Sequence, residues 1–358
     1  MNIAAHRQAI DKLDGQIIRL LNERTRHVLQ IGEIKVKAGE AIYAPHRERV
    51  VLQRICKLNQ GPIKDESLRS IYREIMSGAL SLEKSLTIAY LGPEATFTHQ
   101  AAVQRFGSSL RYIPHKTIAD IFTEVGKRRA DYGVVPVENS TEGVVTHTLD
   151  MFVESNLRIV AQIVLPIQYC LAGQARLKDI QRLYVHPQAL AQCRLWVQRN
   201  LPKAEILETS SNARSAECAS HPDIELRGKV AAITGLLAAE KYDLKIIERD
   251  IQDIGDNATR FLVLGRQCGP ATGRDRTSLM FSIADKVGAL YHALAPFRRF
   301  RLNMTRIESR PSKRKAWEYF FFVDCDGHYT DPKVAKAIAA LEQACNFVKV
   351  LGSYPDGD

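Results

Sequence analysis

Up to about Ser85 the apolar positions recur at helical spacing, and no stretch reads as a strand. Leu13, Ile17, Leu20, Leu21, Val28, Ile31 and Ile34 form one stripe, which predicts a single helix from near the start to about Ala38. A helix that long cannot bury its stripe alone, so the pattern also predicts a partner chain. Pro45 suits a first helical position, and Gly61-Pro62 stops a second helix carrying Val50, Val51, Leu52, Ile55 and Leu58. A third helix runs from Asp65 or Glu66 to about Lys84, with Leu68, Ile71, Tyr72, Ile75 and Leu80 as its apolar face. Three helices, one very long, suggest an intertwined helical dimer.

From Leu86 the period changes. Short apolar runs at 86–91, 132–137, 159–165, 230–233 and 261–264 alternate with amphipathic stretches, which predicts an α/β domain with mostly parallel strands. The loop Cys268-Gly269-Pro270-Ala271-Thr272-Gly273 closes it. The C-terminal segment reads as strand 277–284, helix 287–300, strand 302–308, strand 317–324, helix 332–344 and strand 347–352. That βαββαβ order is the ferredoxin-like arrangement, an α+β fold. The whole is a multidomain chain divided at 1–85, 86–267 and 275–354.

Composition narrows the class. A chain of 358 residues with 45% apolar and 25% charged residues is ordinary for a globular protein of two or three domains. Charged residues appear early, which predicts no signal peptide, and the apolar run 230–239 is too short to span a bilayer. Seven cysteines stand singly without a Cys-x-x-Cys pair, which predicts free thiols and a cytoplasmic location. The formal charge of +10 raises the question of nucleic acid. However, Arg298-Arg299-Phe300-Arg301 and Lys313-Arg314-Lys315 are short and lack interleaved aromatics, so they read as solvated surface. The positive balance suits an enzyme acting on small anions. No metal, phosphate-loop or dinucleotide motif is present, so no cofactor is expected.

Arg7, Arg24 and Lys35 stand on the long helix. Arg24 and Lys35 return to nearly the same face, roughly 16 Å apart along the axis, where they could grip a small dianion. Arg7 lies roughly 25 Å from Arg24 and about a quarter-turn off that face, so it joins the site only from another chain. The plain alternative is that these are ordinary surface cations.

Arg7-x6-Asp14, Glu23-Arg24, Gly32-x2-Lys35 and Pro45-His46-Arg47-Glu48-Arg49 resemble the all-helical chorismate mutase family. The resemblance implies that Arg24 and a partner's Arg7 bind the carboxylates of chorismate. Lys35 would donate to the ether oxygen, with Arg47 and Glu48 completing the pocket. A Claisen rearrangement needs no nucleophile, only a held conformer and stabilised charge on the breaking C–O bond, which suits this residue set. Three positions depart from the family pattern. Ala44 stands in place of an Asp, Ala79 in place of a small polar residue, and Glu83 in place of a Gln that donates to the ether oxygen. An ionised Glu83 could only accept, so it must be protonated to serve, which burial near the substrate would favour.

In the middle, Leu91-Gly92-Pro93-Glu94-Ala95-Thr96-Phe97 follows a strand. Val135-Pro136-Val137-Glu138-Asn139-Ser140-Thr141-Glu142-Gly143 follows another and opens a helix, as Ser210-Ser211-Asn212 does. Ligands bind outside such strand ends, although Ser, Thr and Asn also merely cap helices. With Asn257-Ala258-Thr259-Arg260-Phe261, these clusters resemble the prephenate dehydratase family, whose domain is two-lobed and periplasmic-binding-protein-like. That implies Thr259 as catalytic donor to the departing hydroxyl of prephenate, Arg260 at the substrate helping to organise the site, and Asn139, Ser140 and Ser211 holding substrate. Ala95 departs from the family's Gly, at some strain if the turn is left-handed. Gly288-Ala289-Leu290, Asn303 and Glu308-Ser309-Arg310-Pro311 resemble the ACT domain that comes after this dehydratase, which implies phenylalanine as inhibitor at a subunit interface. The resemblance thus covers nearly the whole chain and points to the bifunctional chorismate mutase–prephenate dehydratase family, a homodimer or higher homo-oligomer. The rivals are a monofunctional dehydratase whose helices only dimerise, and a non-catalytic amino-acid-binding protein.

Overall fold

The computed structural model describes residues 2–39, 43–312 and 318–356. They form two compact units: residues 1–87 with 105–111, and residues 88–104 with 112–358.

The first unit is built on three helices, Ile3–Ala38, Pro45–Leu58 and Asp65–Glu83, close to the bounds expected from the sequence. Each end has a local cause. Asn2 caps the first helix by accepting from the Ala5 N–H, and Gly39, at φ 70°, turns the chain left-handed after it. Pro45 opens the second helix, and Asp65 and Glu66 sit in the first turn of the third, where the helix dipole favours them. The third helix packs on both others. Along the first, only Gly32 is buried, and Ile10, Leu13, Ile17, Ile18 and Leu20 each remain more than half exposed.

The second unit holds three sheets. In the first, the strands lie in the order Arg111–His115, Thr87–Leu91, Tyr132–Asn139, Ala258–Gly265, Arg158–Pro166. The second runs Lys245–Glu248, Cys170–Gly173, Val230–Thr234, Arg182–Val185, Glu205–Glu208. The chain leaves the first sheet after Pro166 and re-enters it at Ala258, which makes two lobes. The expectation of mostly parallel strands is corrected here. Ala258–Gly265 returns antiparallel to both neighbours, and Cys170–Gly173 is antiparallel to both of its own. Both sheets are therefore mixed, because the crossing strands enter from the lobe junction instead of through a helical crossover.

The third sheet, Met304–Pro311, Tyr319–Asp326, Asp275–Ser282, Phe347–Pro355, carries helices Ala289–Arg299 and Pro332–Ala344. Its βαββαβ order matches the sequence reading, although the start of the expected strand at Trp317 lies outside the described residues. It shares a core with the first sheet, in which Val135, Leu149 and Phe152 pack with Met280, Phe322 and Tyr354. There the backbones touch: a Cβ on Gly352 would stand 2.2 Å from the Ile159 carbonyl oxygen.

Arg298, Arg299 and Arg301 are exposed, in keeping with solvated surface, while Lys313-Arg314-Lys315 lies outside the described residues. All seven cysteines are free thiols. Among the described residues no helix is long and apolar enough to cross a membrane.

Candidate active sites

In the helical unit the structure brings Glu83 against Gly32, with Lys35 one turn further along the same helix. Burial raises the Glu83 pKa above the ordinary carboxylate range, and the charge of Lys35 opposes that rise without cancelling it. Arg24 is half-buried, and its Nη1 has no hydrogen-bond partner among the described residues. A buried guanidinium N–H without a partner is costly, and an anion would satisfy it. Arg7 is exposed on the same helix, far from Arg24 within one chain. Arg47 is exposed, and Glu48 lies 3.4 Å from Arg105 Nη2. Ala44 leaves the second helix without a side-chain cap, and Ala79 is buried.

The dehydratase-like cluster forms where the strands Tyr132–Asn139 and Ala258–Gly265 pair, with Thr259 opposite Asn139. Asn139 Nδ2 donates to Thr259 Oγ1 at 2.8 Å and to Asn257 Oδ1 at 2.9 Å. Its Oδ1 accepts from the backbone N–H groups of Thr141 (3.0 Å) and Glu142 (3.1 Å) and from the Thr141 hydroxyl (2.7 Å). Backbone N–H groups can only donate, so they dictate which end of the amide carries oxygen. The NH2 end must therefore face Thr259, whose oxygen becomes an acceptor. Among the described residues the Thr259 hydroxyl proton has no acceptor, and Thr259 is 9% exposed. The pair holds a nearly buried hydroxyl with its proton available.

In this arrangement every hydrogen-bonding group of the Asn139 amide is engaged within the protein, with its NH2 on Thr259. Ser140 is similarly engaged, accepting from the Ala258 N–H at 3.0 Å. The 139–143 segment passes through a two-residue strand, Gly143–Val144, into the expected helix, Thr146–Glu154. Ser211 does cap a helix, Asn212–Ser220, by accepting from the Arg214 N–H, and takes no part in the Asn139–Thr259 network.

Arg260 lies on the other face of the strand. Successive side chains of a strand point to opposite faces, so it projects away from Thr259. Its Nη1 lies 2.8 Å from Asp324 Oδ2 on the third sheet. Burial works against its charge, but Asp324 and its neighbours outweigh that and hold the guanidinium protonated.

Gln192, on the second lobe, had no sequence signal. Its Oε1 accepts from Asn257 Nδ2 at 2.6 Å and its Nε2 donates to Glu142 at 3.0 Å, while Gln188 also donates to Glu142. Only the lobe closure makes these residues neighbours. On the other rim, Lys241 pairs with Glu94, and Ala95 takes φ 64° while its N–H donates to His99 Nδ1 at 3.0 Å.

In the third sheet Gly288, at φ 78°, begins the helix Ala289–Arg299, with Ala289 buried and Leu290 half-buried. Asn303 donates to Asp326 at 3.1 Å. Glu308, Ser309 and Arg310 lie on the edge strand Met304–Pro311, and Arg310 Nε stands 3.3 Å from Asp150 Oδ1.

Residues 6–84 match the family model for chorismate mutase type II, residues 88–269 that for prephenate dehydratase, and residues 277–343 that for the ACT domain. A bifunctional chorismate mutase/prephenate dehydratase of Aquifex aeolicus is 49% identical over 354 residues, 98% of this chain and 96% of the relative. One of Neisseria gonorrhoeae is 46% identical over 352 residues, with coverages of 98% and 96%. Among solved structures, the prephenate dehydratase of Arthrobacter aurescens in complex with L-Phe superposes with a TM-score of 0.70 at 38% identity, covering 75% of this chain and 90% of its own.

Proposed function

The chain belongs to the family of bifunctional chorismate mutase/prephenate dehydratases, and on that premise we propose how its residues divide the two reactions. It is an enzyme of aromatic amino acid biosynthesis: it rearranges chorismate to prephenate and converts prephenate to phenylpyruvate, with feedback by phenylalanine. Residues 1–85 serve the first step, 86–267 the second and 275–354 the regulation.

For the rearrangement, Arg24 and Lys35 hold the substrate and its ether oxygen, Glu83 donates in its protonated form, and Arg47 and Glu48 close the pocket. Arg7 comes from a second copy. The exposed stripe of the long helix supports that homodimer, since a row of half-exposed Ile and Leu needs a cover. For the second step, the bond from ring carbon to carboxylate breaks and CO2 leaves. Its electron pair becomes ring π density as the C–OH bond breaks, and the departing hydroxide takes a proton, supplied in the end by solvent, to become water. A Thr hydroxyl is a weak acid, so Thr259 shares its proton in a hydrogen bond to the departing oxygen; aromatisation of the ring drives the rest. The observation that carries this reading is the Asn139 amide, which leaves the Thr259 proton free to point at substrate. Ser211 stays a candidate for the substrate's far end.

Gly288, Ala289, Leu290, Asn303, Glu308, Ser309 and Arg310 form the phenylalanine site, completed by a neighbouring subunit. The enzyme works in the cytoplasm. Supplying chorismate to the full chain and following both prephenate and phenylpyruvate tests the whole scheme. Both must appear in turn, and added L-phenylalanine must suppress only the second. Prephenate that fails to form reduces the helices to a dimerising device; phenylpyruvate that fails to form removes the dehydratase.

A further inference from the structure

We propose that Arg260 is a positioning residue, and that the ion network it enters with Asp324, Glu138 and Arg306 lets the third sheet control where Thr259 stands. This rests on the reading of Thr259 as the proton donor. Thr259 and Asn139 face each other, and so do their chain neighbours Arg260 and Glu138, from the opposite side of the same strand pair. The pairing shifts by one residue between Arg260 and Phe261, a bulge that re-aims side chains beside the site.

The third sheet grips both neighbours. Arg260 meets Asp324 at 2.8 Å and Glu138 at 3.6 Å, and Arg306 meets the same Glu138 oxygen at 3.3 Å. Asp324 is anchored in turn by the Ser278 hydroxyl at 2.6 Å, itself 2.9 Å from the Tyr354 hydroxyl. Two guanidinium groups and two carboxylates balance, so the cluster tolerates burial as a set and not piecemeal. Arg260 Nε and Arg306 Nη2 are buried without hydrogen-bond partners among the described residues, at a small cavity that Ser278 and Asp324 also line. The network therefore has donors to spare for a second arrangement.

The link to the regulatory ligand is short. Arg306 and Arg310 share the strand Met304–Pro311, and Arg310 pairs with Asp150 on the helix Thr146–Glu154, which comes after the Asn139 turn. At the far end of that helix Lys349 Nζ donates to the Phe152 and Ser155 carbonyls, at 2.9 and 2.6 Å. A ligand that displaces this strand pulls on Glu138 and on the helix together. Two discrete arrangements of such a network are what coupling between sites requires.

The test uses the full chain, with mutase activity as an internal control, and the variants Asp324→Asn and Glu138→Gln, the second at a more exposed carboxylate. The expected result is a dehydratase kcat at least about tenfold lower at nearly unchanged KM, and a half-inhibiting L-phenylalanine concentration moved by about fivefold or more, with mutase kept. Arg260→Lys, which keeps the charge, should recover part of both. Wild-type kcat and inhibition in both carboxylate variants overturn the proposal; a lowered kcat with an unmoved inhibition curve overturns the coupling. Thr259→Ala, run alongside, separates the two levels. Retained turnover there sinks the site reading, whereas lost turnover there with normal Asp324→Asn sinks the network alone.

Discussion

The side chain of Glu83 lies flat on Gly32: a Cβ built on that glycine would stand 2.9 Å from Glu83 Oε2 and 3.0 Å from its Cγ. The contact holds the carboxyl on the third helix beside Lys35 on the first, and it exists only because residue 32 lacks a side chain.

Gly32→Ala should therefore push Glu83 out of place. Gly32 is helical, so backbone strain is not the issue; the methyl is. The expected outcome is a mutase kcat/KM lower by about tenfold or more, since small misplacements of a catalytic group are expensive. Dehydratase activity of the same preparation should stay within about twofold. Equal losses in both activities would point to general unfolding instead.

With Glu83 as the proposed donor, the mutase should depend on pH. Its carboxyl donates only when protonated, and burial raises its pKa despite the opposing charge of Lys35. Activity is therefore full below that raised pKa and declines as pH climbs through it. Glu83→Gln cannot ionise and should give a flat profile over the same range. Superimposable profiles for the two enzymes would remove Glu83 from the chemistry.

In the dehydratase, Asn139→Asp keeps the shape and removes the NH2 that faces Thr259. The hydroxyl would then donate to the new carboxylate and turn away from substrate. A kcat loss of about a hundredfold with KM much less affected is expected, the scale for losing one oriented donor. Thr259→Ala should match it in kcat and still bind prephenate. Near-normal turnover in either variant rejects the proton assignment.

Ala95 sits at φ 64°, and it is 5% exposed. Replacing it with glycine relieves about 1 kcal/mol or more of left-handed strain. Against that stand about 0.8 kcal/mol for the lost buried methyl and up to about 1 kcal/mol for a looser unfolded chain. Ala95→Gly should thus unfold in denaturant within about 1 kcal/mol of wild type. Ala95→Val, branched at a positive φ, should lose about 2 kcal/mol or more. A valine variant as stable as wild type would show that this turn is not left-handed in solution.

Much of the architecture is written locally. The helices Pro45–Leu58 and Pro332–Ala344 lie where Pro45, Gly61-Pro62 and Pro332 put them, because caps and breakers act on their own turn. The βαββαβ order was legible for the same reason, as were the Ser211 cap and the special turn at Ala95. Strand direction was not. An apolar run such as 261–264 looks the same whether it enters a sheet from a helix or returns from another lobe.

By itself the sequence carried the resemblance that points to Arg24, Lys35 and Glu83 on the helices, and to Thr259 in the Asn257-Ala258-Thr259-Arg260-Phe261 segment, as the side chains expected to carry the chemistry. Strand alternation alone puts Thr259 and Arg260 on opposite faces, a consequence that expecting both at the substrate left out. Only the tertiary structure decided what lies on each face. Asn139 reaches Thr259 from a strand more than a hundred residues away, Gln192 arrives from the second lobe, and Asp324 meets Arg260 from the third sheet. Periodicity assigns a residue to a face, but the partner across that face comes from packing of distant segments, which no local pattern encodes.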